Sequence, residues 1–209
     1  MTDHVITTDD VAKAGTYVQP PAEQYFDTNG DGRIDYAVYD YNQDGVWDRI
    51  DTDENFDGRY DHVYLDHNGD GRADEHWWDS NHDGRYDVYT KDSNLDGRDD
   101  VYAYDLDGDG RWDLIKYDTN HDGRIDYEQR DTNHDGYLDT VNIDTNNDGR
   151  FDVTKLDFNH DGRYEAVSQD RNFDGAFDRH SYDLDGDGDY DLVKEDNDFD
   201  GYFENVRRS

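Results

Sequence analysis

A thirteen-residue unit repeats fourteen times without an insertion, and this period constrains the fold more than any other feature of the chain. A unit of that length is too short to bury a core of its own, so it must pack against its neighbours. The repeats predict two parts, an N-terminal cap or linker over residues 1–26 and a tandem-repeat domain over residues 27–208. Units 1 to 14 begin at Asp27, Asp40, Asp53, Asp66, Asp79, Asp92, Asp105, Asp118, Asp131, Asp144, Asp157, Asp170, Asp183 and Asp196.

Five positions of the unit are nearly invariant. Position 1 is always Asp, position 5 always Asp and position 6 always Gly, while position 3 is Asn in eleven units and Asp in three. Position 9 is Asp in twelve units and Glu in the other two, Glu165 and Glu204. Turn propensity explains Asn and Gly, but it does not explain an acid at position 9 of every unit. The pattern D-x-[ND]-x-D-G-x-x-[DE] defines a nine-residue loop, and loop n is the name used below for positions 1–9 of unit n.

The spacing of oxygen atoms in this loop is typical of a calcium site. Side-chain oxygens at positions 1, 3 and 5, followed by Gly at position 6, match the first half of a calcium loop, in which the carbonyl of position 7 is the usual next ligand. An EF-hand closes its shell with Glu at position 12, whereas this chain has residues such as Trp77 and Lys116 there. The acid at position 9 closes the shell instead. Calcium is favoured over magnesium, because magnesium keeps its waters and rarely uses all-protein cages.

The loop resembles the calcium loops of FG-GAP and VCBS propeller repeats and of thrombospondin type 3 repeats. In those families positions 1, 3, 5 and 9 and the carbonyl of position 7 bind the ion, and the resemblance implies the same roles here, with about one calcium per unit. It covers the loop in every unit but no complete family domain. A propeller blade is much longer than thirteen residues, and thrombospondin repeats carry cysteines, which this chain lacks.

The predicted metal ligands are therefore the side chains at positions 1, 3, 5 and 9 of all units. In chain order they are Asp27, Asn29, Asp31, Asp35, Asp40, Asn42, Asp44, Asp48, Asp53, Asn55, Asp57, Asp61, Asp66, Asn68, Asp70, Asp74, Asp79, Asn81, Asp83, Asp87, Asp92, Asn94, Asp96, Asp100, Asp105, Asp107, Asp109, Asp113, Asp118, Asn120, Asp122, Asp126, Asp131, Asn133, Asp135, Asp139, Asp144, Asn146, Asp148, Asp152, Asp157, Asn159, Asp161, Glu165, Asp170, Asn172, Asp174, Asp178, Asp183, Asp185, Asp187, Asp191, Asp196, Asp198, Asp200 and Glu204.

These positions hold 45 of the 56 acidic residues and account for most of the formal charge of −36. One divalent ion per loop would reduce that charge to −8, an ordinary value for a soluble domain. Without ions the crowded carboxylates repel one another, so we expect an unfolded or expanded apo state. The acidity argues against binding to nucleic acid or to anionic membranes.

Positions 7–13 predict a short strand in each unit, and position 8 is apolar in every unit except at Asp99. Residue choices at positions 4 and 13 sort with a period of three units. The strands and this period favour an all-β fold, a calcium-stabilised β-solenoid of fourteen units with a suggested three units per coil, similar in principle to an RTX β-roll. The alternative is an antiparallel β-meander with the calcium loops as hairpin turns, which predicts loops on alternating edges and a period of two units.

Two further positions carry charged or ligating side chains. Position 7 is Arg in nine units, and we expect these arginines to neutralise nearby carboxylates and stack on tyrosines, with an anion-binding stripe as the alternative. Position 4 is histidine in four units. Zinc binding is an open alternative for these histidines, but we expect them to be solvated. They are His82, His121, His134 and His160.

No nucleophile with a partner base and no phosphate loop is recognisable, so an enzyme is not expected. The absence of cysteine excludes disulfides, no stretch is apolar enough for membrane insertion, and the first residues lack the pattern of a secretory signal. We expect a non-catalytic structural or adhesive module outside the cell or at its surface, with the export route open. Its partners would be calcium ions and either a second copy or a cell-surface or matrix component. A calcium buffer or mineral-interacting protein, an ice-binding solenoid and a decoy for basic proteins are the alternatives.

Overall fold

The computed structural model describes residues 22–208, within which there are fifteen β-strands of four residues each and no helix. The strands are β1 Glu23–Phe26, β2 Tyr36–Tyr39, β3 Arg49–Thr52, β4 His62–Leu65, β5 Glu75–Trp78, β6 Val88–Lys91, β7 Val101–Tyr104, β8 Leu114–Tyr117, β9 Tyr127–Arg130, β10 Thr140–Ile143, β11 Val153–Leu156, β12 Ala166–Gln169, β13 Arg179–Tyr182, β14 Leu192–Glu195 and β15 Asn205–Arg208. Most of the expected N-terminal cap lies outside the described residues. The part of it that is described, residues 22–26, contains β1.

Two compact segments divide the chain between Ala73 and Asp74. The first contains β1 to β4 and the second β5 to β15, and within each segment every strand pairs antiparallel with the next strand in sequence. The register is the same throughout, because the first residue of one strand faces the last residue of the next. Thr140, for example, faces Leu156. The described residues contain no helix, and hence no helix that could span a membrane.

The strands occupy positions 10–13 of each unit, and the loops connect them as hairpin turns. The predicted strand over positions 7–13 is therefore too long, because positions 7–9 belong to the loop. The N–H of Asp61, at position 9, donates to the carbonyl of Thr52, which immediately precedes the loop, at 2.7 Å. This bond brings the two ends of the loop together and reverses the chain. A second bond joins loops two units apart, since the N–H of Asp118 donates to the carbonyl of Asp100 at 2.8 Å. Loops n and n+2 within a segment therefore lie next to each other on one edge, while loops n and n+1 lie on opposite edges.

The all-β repeat fold is confirmed, and its arrangement is that of the antiparallel meander. In a coil of three units, each strand would run parallel to the strand three units later, whereas the described pairs are antiparallel and between neighbours. The preference for three units per coil is corrected for a physical reason. The hydrogen bond from position 9 back across the loop closes a hairpin, so that the next strand runs antiparallel to the preceding one. At a solenoid corner the chain would continue around the coil without this reversal.

The buried interior of this sheet contains far more carboxylate than hydrocarbon. Among the described residues, the buried apolar side chains are Ala37, Val63, Ala103, Val141 and Ala166. The buried acids number twenty-four aspartates and one glutamate. Most of those aspartates occupy positions 1 and 9 of the loops. Aromatic contacts between strands cover some of the remaining surface but leave their rings partly exposed. Apolar burial on this scale stabilises a fold only weakly.

Candidate metal centres

The loop backbone adopts the same unusual conformation in every unit. Position 6 is glycine with φ between 85° and 97°, and position 4 also has a positive φ in all fourteen units. Ten of the fourteen residues at position 4 are not glycine, and their φ lies between 57° and 62°. Leu95 and Phe199 are examples, and such residues carry a conformational cost in this region. The two left-handed residues curl the chain so that positions 1, 3 and 5 face one centre.

Backbone N–H groups hold the carboxylate of position 1 in that centre. In loop 5, Asp79 accepts hydrogen bonds from the N–H of Gly84 at 2.7 Å and from the N–H of Asp83 at 3.1 Å. Asn81 accepts from the N–H of Asp83 at 2.9 Å, and Asp83 accepts from the N–H of Arg85 at 2.9 Å. Each bond uses one lone pair of an oxygen that has two. The same oxygens therefore keep capacity to bind a cation.

The acid at position 9 folds back over the start of its own loop. Asp87 accepts hydrogen bonds from the N–H of Ser80 at 2.8 Å and from its hydroxyl at 2.9 Å. The hydroxyls of Thr119, Thr132 and Thr145 bond in the same way to position 9 of their loops. Position 2 is thus part of the loop's internal hydrogen bonding, a role that the sequence analysis missed. Its signal was the recurrence of Ser and Thr immediately before the conserved position 3.

Hydrogen bonds keep several buried acids ionised. Burial alone would raise the pKa of Asp131, but hydrogen bonds from the N–H groups of Gly136, Asp135, His134 and Asn133 lower that pKa below its ordinary value. Burial also acts on Asp100, where hydrogen bonds from His121 and Ser93 reverse its effect and lower the pKa. At neutral pH these loops hold fixed negative charge inside the fold.

Four loops bring three or more acidic side chains within 4.8 Å of one another. These groups are Asp105, Asp107 and Asp109 in loop 7; Asp157, Asp161 and Glu165 in loop 11; Asp183, Asp185 and Asp191 in loop 13; and Asp196, Asp198, Asp200 and Glu204 in loop 14. No other loop in residues 22–208 has three carboxylates so close together. All ten remaining loops have Asn at position 3, which supplies an amide oxygen in place of an acid. These four groups can hold a metal ion, and oxygen is the donor that they offer.

Side chains contact the neighbouring loop on the same edge of the sheet. Arg111 at position 7 lies over the ring of Tyr137 in the next loop of its edge, with its guanidinium carbon 5.6 Å from the centroid. His121 at position 4 lies 2.9 Å from Asp100 of the preceding loop of its edge, through Nδ1 and Oδ1. Nδ1 of His160 likewise lies 3.3 Å from Oδ2 of Asp135 in the preceding loop of its edge. The histidines at position 4 were expected to be solvated, and the side chain of His121 is 41% exposed. The contact with a carboxylate of the neighbouring loop is an addition to that expectation, and it arises because loops n and n+2 are adjacent.

Comparison with protein-family models, curated proteins and solved structures finds no match to this chain. The function of the loops is therefore inferred from their chemistry. That chemistry consists of fixed oxygen donors and buried negative charge, repeated from loop to loop along the edges of each segment.

Proposed function

We propose that the protein is a non-catalytic calcium-binding structural module that folds on binding about one calcium ion per unit. One observation carries the proposal, namely that buried carboxylates outnumber buried apolar side chains about five to one among the described residues. An interior of this composition needs a source of positive charge. The chain has 20 Lys and Arg against 56 Asp and Glu, so its own cations are too few.

Divalent ions in the loops would supply that charge. A buried carboxylate without a compensating partner costs several kcal/mol, of the order that would unfold a small domain if repeated. A hard cation with six to eight oxygen ligands satisfies such groups. Positions 1, 3, 5 and 9 would contribute side-chain oxygens and position 7 a carbonyl. The bound ion would offset two of the three or four negative charges of its ligands and fix the loop against the strands.

Linkage gives the size of the effect. At free calcium tenfold above Kd, each site stabilises the folded state by roughly 1.4 kcal/mol. Fourteen independent sites would together contribute roughly 20 kcal/mol on the same relation. Such a contribution would compensate for the small apolar interior. The apo chain would be expanded, and calcium would act as the folding switch.

The same argument favours an extracellular setting for the module. Calcium sites of extracellular modules commonly have Kd values on the order of 10⁻⁴–10⁻³ M, and sites this weak fill where free calcium is millimolar. The filled module would serve as a stiff spacer or adhesive surface, with a second copy or a matrix component as partner. No side-chain arrangement of the described residues suggests catalysis, and we propose none.

Far-UV circular dichroism through a calcium titration tests the proposal. The titration starts from chelator, and magnesium at the same ionic strength is the control. We expect a cooperative coil-to-sheet transition with calcium and a much weaker response to magnesium. A spectrum that is unchanged by calcium would refute the proposed function, since the fold would then form without ions or not at all.

A matched pair of variants separates the loop sites from burial in general. Asp152 at position 9 of loop 10 and Asp51 on β3 are both 2% exposed. We expect Asp152→Asn to lose about one calcium equivalent by isothermal titration calorimetry. Asp51→Asn should keep the full number of sites, because Asp51 is paired with Arg49 at 2.7 Å and lies outside the loops. Loss of a site in Asp51→Asn, or the full count in Asp152→Asn, would contradict the assignment.

A further inference from the structure

We propose that loop 7 and loop 9 together form a zinc site, whose ligands are Asp107, Asp113 and His134. It differs from the calcium sites in having a nitrogen donor and in drawing its ligands from two loops of one edge. Asp107 and Asp113 also belong to the calcium shell of loop 7, so each carboxylate would bridge the two ions. Zinc would take the oxygens that face His134, Oδ2 of Asp107 and Oδ1 of Asp113, and calcium the other oxygen of each. The inference rests on the proposed function, because calcium must first order these loops.

The three side chains converge although His134 lies in a different unit from the two aspartates. One potential ligand atom from each of Asp107, Asp113 and His134 falls within 4.8 Å of the other two. Nδ1 of His134 is 3.1 Å from Oδ1 of Asp113 and 3.6 Å from Oδ2 of Asp107. The side chain of Asp113 is 5% exposed and that of His134 54% exposed. A buried carboxylate thus faces an imidazole that remains accessible to an incoming ion.

Loop 7 differs from loop 6, which also receives a histidine on its position-9 acid. His121 contacts Asp100 of loop 6, where position 3 is Asn94 and supplies no second carboxylate. In loop 7, position 3 is Asp107, so the imidazole of His134 meets two carboxylates. The site arises from the coincidence of Asp at position 3 of one loop with His at position 4 of the next loop on that edge.

The donor set selects the class of metal. Calcium and magnesium take oxygen ligands, whereas an imidazole nitrogen suits zinc and other first-row transition metals. Two carboxylates and one imidazole make three protein ligands, the number found in zinc sites that keep a water in the fourth position. Zinc binding requires that Nδ1 of His134 carry no proton, so the site would bind zinc more weakly as the pH falls.

Calorimetry with Zn²⁺ in the presence of saturating calcium tests the site. The variants are His134→Asn and, as the matched control, His121→Asn. Asparagine suits both positions, because Asn147 occupies position 4 of loop 10 with φ of 62°. We expect His134→Asn to bind one zinc equivalent fewer than the wild type, and His121→Asn to bind the same number. Visible absorption of Co²⁺ bound in place of zinc should lose one equivalent of intensity in His134→Asn alone.

The same samples distinguish failure of this site from failure of the proposed function. A full zinc count in His134→Asn, or an equal loss in both variants, would overturn the zinc site. Circular dichroism is recorded on each variant through a calcium titration. A normal calcium transition with an unchanged zinc count would refute the zinc site alone, whereas a missing calcium transition in the wild type would refute the proposed function.

Discussion

Arg163 in loop 11 donates a hydrogen bond from Nη1 to the main-chain carbonyl of Asp187 in loop 13, at 3.2 Å. The two residues are 24 positions apart and lie on one edge of the sheet. Arg111 reaches Asp135 and Gly136 of loop 9 in the same way, with both distances 3.4 Å. Arg111 and Arg163 at position 7 therefore hydrogen-bond to the backbone of the next loop of their edge, a role that was not predicted beside neutralisation of carboxylates and stacking on tyrosines.

Removing this hydrogen bond should weaken the coupling between neighbouring loops. We expect Arg163→Gln to lower the free energy of unfolding by about 1 kcal/mol, the usual net value of one such hydrogen bond. The calcium-binding isotherm should also become less steep. Urea denaturation at saturating calcium and calorimetry measure the two effects.

Arg124→Gln is the matched control, because within residues 22–208 no hydrogen bond or ion pair joins Arg124 to the next loop of its edge. It should change the free energy of unfolding by less than about 0.5 kcal/mol, as for an ordinary surface substitution. Equal effects of the two variants would mean that the hydrogen bond between loops 11 and 13 contributes nothing measurable.

Two glycines at position 6 differ in what covers them. Gly136 and Gly149 have φ of 86° and 92°, respectively. A Cβ at position 149 would meet no atom within 4 Å, whereas a Cβ at position 136 would overlap the side chain of Arg111. We expect Gly149→Ala to cost about 1–3 kcal/mol from backbone strain alone. Gly136→Ala should cost more, because Arg111 must leave its place as well, and urea denaturation at saturating calcium gives both values.

A double-mutant cycle isolates the part due to Arg111. In an Arg111→Ala background, Gly136→Ala should cost no more than Gly149→Ala, since the overlapping side chain is gone. An unchanged excess cost in that background would mean that the guanidinium does not cover Gly136.

Position 4 stores strain that glycine would relieve. Leu95 has φ of 62° and its side chain is 49% exposed, so its side chain contributes little packing against this cost. We expect Leu95→Gly to raise the free energy of unfolding by about 1 kcal/mol, measured by urea denaturation at saturating calcium. Leu106→Gly is the control, because Leu106 is 66% exposed without a positive φ. It should be neutral or destabilising, and a gain in both variants would contradict the explanation by strain.

Asp99 occupies the position that is apolar in every other unit, and burial raises its pKa above the ordinary value. Its ionised form is therefore disfavoured in the folded state. The raised pKa means that the folded state is favoured when Asp99 is protonated, and that this advantage is lost as the pH rises through the folded pKa. At pH 7 we expect Asp99→Asn to raise the urea midpoint, and the gain should disappear as the pH falls to about 4, near the ordinary value for Asp.

Asp189→Asn, at an exposed loop position, controls for the general effect of acid on the calcium sites. The difference between wild type and Asp189→Asn should stay small at both pH values. A gain for Asp99→Asn that is the same at pH 4 and pH 7 would show that its charge is not the cause.

The sequence predicted the loop and one strand in each unit, since acids at fixed positions and β-forming residues after them are local signals. It placed the strand over positions 7–13, three residues longer than the strand observed. It did not decide how units pair. The choice of residue at positions 4 and 13 sorts in threes, whereas contacts such as His121 with Asp100 follow a period of two. The choice of side chain at positions 4 and 13 reflects which residues those positions tolerate. The pairing of strands depends instead on the backbone hydrogen bond from position 9 across the hairpin, which does not require a particular residue type. The positive φ at Phe199 was equally invisible, because glycine at position 4 occurs in only a minority of units.

Within the segment from β5 to β15, two loops separated by an odd number of strands lie on opposite edges. Two loops separated by an even number of strands lie on the same edge. Insertion of one thirteen-residue unit between Asp113 and His134 would transfer every later loop of that segment to the other edge and turn each later strand over. The partnership of these two residues would be lost, although every loop would keep its own four ligands. A second inserted unit would restore the edge but leave the two loops one loop further apart. Whole units can be gained or lost in such a chain without changing any individual loop. A contact between two loops persists only when the number of units between them stays the same.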